Sequence, residues 1–419
     1  MIAIRSQWRA FVAGASPAVY RILLHGMLYG LSFSISDMLF NFYLHSLGYN
    51  NAIAGEFQSI FRVAGVLLGI PVGMSIDRVS AQRMLYIGIL SYGLGWAALL
   101  LSHGMTIGSL SALQLMSIIY FFIGAANLTI NSAVVPLLST VIEPHQRASM
   151  FGVSAAASTA IGFFGSLLGG SLPGWLAPWL GVSATDERAY RSALFAAVIF
   201  GLLAVLPLIG IKRAAHGMSR QGINSNTVIQ EKPNVSFGRL LLFASPSVFF
   251  GIAGGMFVPF QNLYFRQQFN EPDNVVGVCI ALGSFAMGVG SIIGGPMAQR
   301  WGIRRGAAFS RILAAPLMIV MLITNFYVVS VAYDLNRMLV GLTFPLFSAL
   351  MMQTVPLRQR GTATSMSSMT WSLGWAGASI LSGYMQDGGS FNLVLIVSSL
   401  AYVVSGLLIY YLPYTDKLD

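Results

Sequence analysis

The 419-residue sequence predicts an all-α integral membrane protein: twelve transmembrane helices in two six-helix pseudo-symmetric bundles, both termini cytoplasmic. Three observations carry this expectation. Hydrophobic residues make up 56% of the chain and charged residues only 9%, with a mean hydropathy of +0.73. A soluble domain carries about a quarter charged residues to coat its surface, so an ordinary cytosolic enzyme is excluded. The apolar residues fall into long blocks, and the basic residues gather on one side of them.

A helix needs about 20 largely apolar residues to cross a ~30 Å hydrocarbon core. In chain order the blocks are 22–45 and 53–76, parted by Gly48-Tyr49-Asn50-Asn51; then 84–102, after the break at Gly73 to Arg78; then 109–136. The next are 148–174, opened by Gln146-Arg147, and 192–211. After the longest polar stretch, 212–239, come 240–265, 274–298 and, past the basic break Arg300 to Arg305, 305–325 and 327–354. The last are 361–385, opened by Gln359-Arg360, and 392–412. Glycine, proline, asparagine and charge clusters set these breaks. The expected organisation is an N-terminal bundle over 1–211, a cytoplasmic linker over 212–239 and a C-terminal bundle over 240–419.

With the N-terminus inside, 17 of the 23 basic residues fall on the cytoplasmic side, from Arg5 and Arg9 to Lys417, and only Arg188, Arg191 and Arg266 fall outside. That bias sets the orientation. It also accounts for the formal charge of +10, which therefore does not point to nucleic acid. The lone Cys279 excludes an internal disulfide and a multi-cysteine metal site, and no metal or cofactor is expected. The first twenty residues show no signal-peptide pattern.

The halves resemble each other. Asn41-Phe42-Tyr43-Leu44 at the end of span 1 recurs as Asn262-Leu263-Tyr264-Phe265 at the end of span 7. Gly55 and Gly277 open spans 2 and 8, Gly73 to Arg78 matches Gly295 to Arg300, and Gln146-Arg147 matches Gln359-Arg360. On these landmarks the sequence resembles the major facilitator superfamily, whose loop between helices 2 and 3 carries Gly-x-x-x-Asp-Arg-x-Gly-x-basic-basic. The first copy runs Gly73 to Arg83 and keeps Asp77 and Arg78, with Ser80 in place of glycine. The second runs Gly295 to Arg305 and keeps Arg300, Gly302, Arg304 and Arg305, with Gln299 in place of Asp.

The resemblance implies a latch in which Asp77 engages the start of helix 11 near Gly361 in the outward-open state. Headgroup anchoring is the competing reading for Asp77 and Arg78. Gly65, Gly69 and Gly73 form a small-residue stripe on span 2, and Gly290 and Gly294 one on span 8, that admit close helix approach. Two family signatures are altered. Helix 4 reads Tyr120-Phe121-Phe122-Ile123-Gly124 where an Arg-x-x-x-Gly is common, and that pattern appears instead as Arg337 to Gly341. Helix 5 reads Gly165-Ser166-Leu167-Leu168-Gly169-Gly170, with Ser166 replacing a proline.

Charges at membrane depth are costly and mark function by default, about 2.5–3.5 kcal/mol each at a helix centre. Asp37 and Arg62 lie about 12 and 14 Å from the outer ends of spans 1 and 2, at one depth. Asp334 and Arg337 in span 10 are three residues apart. Each half is thus expected to hold one acid and one base, either as inert ion pairs or as groups for which substrate and proton compete. Tyr120, Asn127 and Asn131 share a face of span 4, and Gln261 and Asn262 lie toward the outer end of span 7. The resemblance places helices 1, 4, 7 and 10 around the cavity. Trp371 and Trp375 could wall it or simply pack, Glu56 is expected to be interfacial, and His25 and Arg311 are expected to snorkel at cytoplasmic ends.

The leading expectation is a secondary transporter of a small polar or anionic organic solute, proton-coupled through Asp37, monomeric, in a bacterial inner membrane. An uncoupled facilitator and a non-transporting receptor or scaffold are the alternatives. No hydrolase, zincin or phosphate-loop motif favours an enzyme or ATP drive.

Overall fold

The computed structural model describes residues 17–106, 108–142, 147–211, 235–356, 359–387 and 390–413; the side chains of Asp77, Ser139, Thr140, 147–153, 155 and 156 are outside that description. Outside it too lie Arg5, Arg9, Gln146, Arg358, Lys417 and most of the expected linker.

Among the described residues the chain runs through twelve helices. They are α1 Pro17–Ser46, α2 Asn51–Val79, α3 Ala81–Leu101, α4 Ala112–Val141, α5 Arg147–Leu180 and α6 Glu187–Leu203, then α7 Phe237–Phe269, α8 Asp273–Trp301, α9 Ile303–Val320, α10 Phe326–Thr354, α11 Arg360–Asp387 and α12 Phe391–Tyr411. Ten are long and apolar enough to cross a membrane. The two that fall short have clear reasons. The 18 residues of α9 include Arg304, Arg305 and Arg311, and α11 is rich in serine, threonine and glycine.

Most expected spans match a helix to within a few residues, and two differ. Span 6 was expected over 192–211, but α6 ends at Leu203 and only a 3-10 turn, Leu206–Leu208, follows, because Pro207 cannot continue the hydrogen-bond ladder. In α7 a 3-10 turn at Val258–Phe260 around Pro259 breaks the helix where a continuous span was expected.

The packing repeats itself. In the first half α3 packs on α4, α2 on α4, α1 on α5 and α6, and α3 on α6. Shifted by six helices, the second half has α9 on α10, α8 on α10, α7 on α11 and α12, and α9 on α12. Between the halves α2 packs on α11 and α5 on α8, a pair that the same shift exchanges.

Glycine makes the tight crossings. A Cβ on Gly169 would sit 3.0 Å from Met38 Cβ on α1, and one on Gly165 3.1 Å from Ser34 Oγ. On Gly170 it would lie 2.8 Å from Gly277 Cα on α8. Gly290 and Gly294 press α8 onto α10 at Met338 and Pro345, and Gly341 answers against Met287.

The carbonyls left free where α6 ends are taken by side chains, as helix ends require. His25 Nδ1 lies 3.0 Å from Ala204 O, Tyr86 donates to Leu208 O at 2.5 Å, and Arg21 donates to Ile209 O. At the end of α12, Arg304 does the same for Tyr410 O and Leu412 O, at 2.5 and 2.9 Å.

Candidate functional site

Asp37 sits in mid-α1 yet is solvent-accessible. It lines a cavity of about 20 Å³, room for about one water, with Ser36, Gln58, Arg62, Tyr92, Trp96 and Tyr120 among the other walls. Tyr120 is fixed by an aromatic box: it stacks on Phe40 at 4.6 Å and meets Phe57, Phe61 and Trp96 at 5.4 to 5.8 Å. Arg62 leaves α2 and crosses to the other half, its guanidinium 5.0 Å from the Trp371 ring and 4.6 Å from the Trp375 ring on α11. These are cation–π distances.

The charges acting on Asp37 are Arg62, from its own half, and Arg337, from α10 in the other. Among the described residues neither arginine is satisfied by protein oxygen. The Nε atoms of both are buried with no hydrogen-bond partner among the described residues, and Arg337 Nη2 reaches only the Met287 sulfur, at 3.4 Å.

Arg62 and Phe33 also border a larger cavity, about 460 Å³, running toward the face at which the described chain begins and ends. His25, Tyr29, Ser34, Asn127, Asn131, Ser154 and Ser158 are among its polar walls. Asn127 donates to Tyr29 Oη at 2.5 Å and Asn131 to Asn127 Oδ1 at 3.1 Å, so the three form one polar strip. Toward this terminal face the halves separate. A Cβ on Gly65, Gly69, Gly73 or Gly361 would meet nothing within 4 Å. The expected stripe on α2 therefore holds no neighbour here, and the close approach on that helix is at Gly55, 3.3 Å from Gly383 Cα at the other end.

At that opposite, distal face the halves are tied together. Asn41 donates to Pro259 O at 2.5 Å and to Asn262 Oδ1 at 3.0 Å, while Asn262 donates to Met38 O at 2.7 Å. Asn41 and Asn262 are 221 residues apart, as are Met38 and Pro259, so the bonds are reciprocal under the sequence repeat. The Asp387 carboxylate at the end of α11 accepts from Asn51 N at 3.0 Å and Ala52 N at 3.2 Å, the first turn of α2. A third tie runs from Tyr190 on α6 to Asp273 at 2.6 Å, with Arg266 donating to Tyr190 at 2.7 Å and pairing with Asp273 at 3.4 Å.

The Major Facilitator Superfamily family profile matches residues 22–258 and 244–418, nearly the whole described chain. The chain belongs to the Major Facilitator Superfamily. Solved structures with the same fold include the D-xylose-proton symporter (14% identity, TM-score 0.73, covering 96% of this chain and 98% of that one). The xylose transporter XylE from E. coli in an inward open conformation gives 14%, 0.72, 95% and 96%. A bacterial homologue of the human lysosomal transporter Spinster gives 13%, 0.71, 95% and 96%. No curated protein matches the sequence.

The superfamily loop motif occupies the ends of α2 and α8. Arg78, Arg83, Gln299, Arg300 and Arg305 are exposed there, and Gly295 faces open space. The Asp77 side chain is outside the description. Arg304, expected in a gate, caps α12 instead. Gly302 takes φ +79°, a region that favours glycine, and Ser80 at the matching place in the first copy is held at φ +138°.

Several expectations are corrected. Asp334 and Arg337 form no ion pair within 4 Å. Three residues apart they diverge by about 60° around the helix; Arg337 acts on Asp37, whereas Asp334 lies toward Cys279 with its Oδ1 buried and unpartnered among the described residues. Asp37 and Arg62 likewise make no direct pair, since Arg62 turns to the tryptophans.

Gln261 and Asn262 do not line either cavity. Gln261 accepts from Tyr333 at 2.7 Å, and Asn262 belongs to the distal tie. His25 and Arg311 do not snorkel. His25 is fully buried at the α6 end, and Arg311 is 2% exposed, held between Phe250 and Phe347 at 4.3 and 4.5 Å and donating to Ser405 at 2.6 Å.

Gln58, Trp96 and the distal ties were not singled out from sequence. Gln58 was findable, one helical turn before Arg62 on the same face. The asparagine tie was visible only as a repeat landmark.

Proposed function

We propose that the chain is a proton-coupled secondary transporter that moves a small polar or anionic organic solute by alternating access. The halves are 1–211 and 240–419, joined by a cytoplasmic linker over 212–239. All twelve helices span the membrane with both termini cytoplasmic, so the closed distal face is extracellular and the open terminal face cytoplasmic. The basic-residue asymmetry supports that orientation. The two weakly apolar helices are the ones with partners to shield them: α11 packs on α7 and α2, and α9 on α10 and α12. The setting is a bacterial inner membrane and the working unit a monomer.

The observation that carries the reading is the charged cluster. Asp37 and Arg62 line cavities of the first half, and Arg337 acts on Asp37 from the second, between a face that is tied shut and one that is open. Holding three charges at membrane depth costs more than apolar residues there would, so pure packing does not explain them. Midplane sites between structural repeats are where transporters of this construction bind solute. Asp37 is the proton carrier in this scheme, because it alone among the three both titrates and faces the cavity. Tyr120, Asn127 and Asn131 border the solute path. In the opposite state the ends of α2 and α11 close at the motif residues Gly73, Asp77 and Arg78, and the second copy latches more weakly because Gln299 carries no charge.

Purified protein in proteoliposomes tests this. A pH gradient is expected to drive solute flux that Asp37→Asn uncouples. Full gradient-driven uptake or efflux by Asp37→Asn would refute the proton assignment, and no flux across a broad solute panel would refute transport.

A further inference from the structure

We infer that the site takes a small hydroxylated organic carboxylate, its carboxylate shared by Arg62 of the first half and Arg337 of the second. The inference rests on the transporter reading and names its substrate class. Four features point the same way.

The first is the excess of donors. Arg62 Nε, Arg337 Nε and Trp375 Nε1 are all buried without an acceptor among the described residues. Among the described residues the acceptor that Arg337 reaches is a thioether sulfur, a weak one. Buried donors in such numbers call for oxygens, and a carboxylate supplies them in the geometry that guanidinium groups match best.

The second is charge. The cluster holds two arginines and one acid, so with Asp37 ionised it carries one surplus positive charge. Adding one proton and one monoanion together returns the same surplus. The empty and doubly loaded forms thus cost the same to carry through the membrane interior, whereas the proton alone raises the surplus to two.

The third is competition. Asp37 is acted on by the same two arginines, so an incoming carboxylate meets a like charge unless Asp37 is protonated. The other titratable groups that face Asp37 are Tyr92 on α3, Tyr120 on α4 and Tyr333 on α10. From 148 to 180, α5 has none, and those of α6 and α7 lie near the helix ends. His25 borders the larger cavity but its Nδ1 is engaged with Ala204 O at the α6 end, so Asp37 is the group whose proton switches the site.

The fourth is the shape and lining of the space beyond Arg62. At about 460 Å³ it is in the range of small-ligand pockets. Its strip of Tyr29, Asn127 and Asn131 suits hydroxyl groups better than a hydrocarbon tail, which would strip water from the amides with no return.

The test uses full-length protein in nanodiscs, with gluconate, glucose and hexanoate as probes, read by tryptophan fluorescence and thermal shift at pH 5.5 and 8. Gluconate is expected to bind best, and more tightly at pH 5.5. Arg62→Gln and Arg337→Gln should each weaken it by about 10- to 100-fold. Arg62→Lys and Arg337→Lys, which keep the charge but lose the fork, should fall between. In Asp37→Asn the binding should persist and lose its pH dependence. Glucose or hexanoate binding as tightly as gluconate, gluconate affinity unchanged in both arginine variants, or no binding by gluconate would each overturn the inference. Binding without flux in proteoliposomes would instead refute the transporter reading and leave the carboxylate site standing; flux of glucose without gluconate would do the reverse.

Discussion

Replacing Asn41 with alanine should loosen the distal face without unfolding the bundle. Asn41 makes two cross-half hydrogen bonds, to Pro259 O and Asn262 Oδ1, and is 1% exposed. At about 0.5–1.5 kcal/mol each, their loss weakens the distal-closed state by about 1–3 kcal/mol, or about 5- to 150-fold in the closed-to-open ratio. Alanine favours the helix, so α1 itself should hold. Asn262→Ala should act in the same direction, because Asn262 donates to Met38 O and accepts from Asn41. The measurement is a spin–spin distance between labels at Thr106→Cys and Thr324→Cys, in a Cys279→Ser background. Both sites are exposed in distal loops, one in each half. Wild type should show one distance, and each asparagine variant a second, longer population. An unchanged distribution in both variants, with thermal stability retained, would refute the claim that this tie holds the face shut.

Three further outcomes follow from local geometry. Ser80→Gly should stabilise the protein by about 1–2 kcal/mol, since serine at φ +138° is strained and its weak cap on Arg83 N, at 3.4 Å, is worth only a few tenths; a thermal-unfolding midpoint that falls would contradict this. Arg311→Ala should cost about 2–5 kcal/mol through lost packing and cation–π contact, and Arg311→Lys should not restore it, because an ammonium cannot lie flat between Phe250 and Phe347; detergent-phase melting reads both. Asp387→Asn should weaken the α2–α11 tie by about 0.3–1 kcal/mol, an effect that should shrink in 1 M salt; an equal effect at both salt levels would remove the helix-dipole explanation.

The membrane class, the positions of most helices and the repeat were legible in the sequence, because each depends on local composition or on spacing along one chain. Asp37, Arg62 and Arg337 were legible for the same reason: a charge in an apolar run stands out whatever it touches. Partnership was not legible. The i,i+3 spacing of Asp334 and Arg337 suggested a pair, but the long arginine side chain reaches toward the acid of the other half. Depth along a helix also misled for His25 and Arg311. In the structure His25 lies two turns inside α1 and Arg311 midway along α9, and free carbonyls on α6 and a serine on α12 gave them partners inside the bundle. Asn41 and Asn262 look like ordinary polar residues until the repeat register is read as a contact map, with 41 donating to 259 and 262 to 38.

That register bears on how the closed face could open. A tie built from two amides and two backbone carbonyls contains no charge, so breaking it exposes groups that water satisfies at once, at a cost of a few hydrogen bonds. A tie of buried ion pairs would hold more tightly but would leave costly unpaired charges on opening. The ionic distal contacts, Asp387 of α11 with the start of α2 and Arg266 with Asp273, sit at helix ends, where separated charges can rehydrate. In the proposed cycle the distal face has to open and close repeatedly, so its closure energy cannot exceed by much what the terminal face gains at Asp77 and Gly361 in the other state. The unpaired arginines fit the same balance. Arg62 already meets the other half at the Trp371 and Trp375 rings, and an anion that joins Arg62 to Arg337 would supply further binding energy that draws the halves together around it.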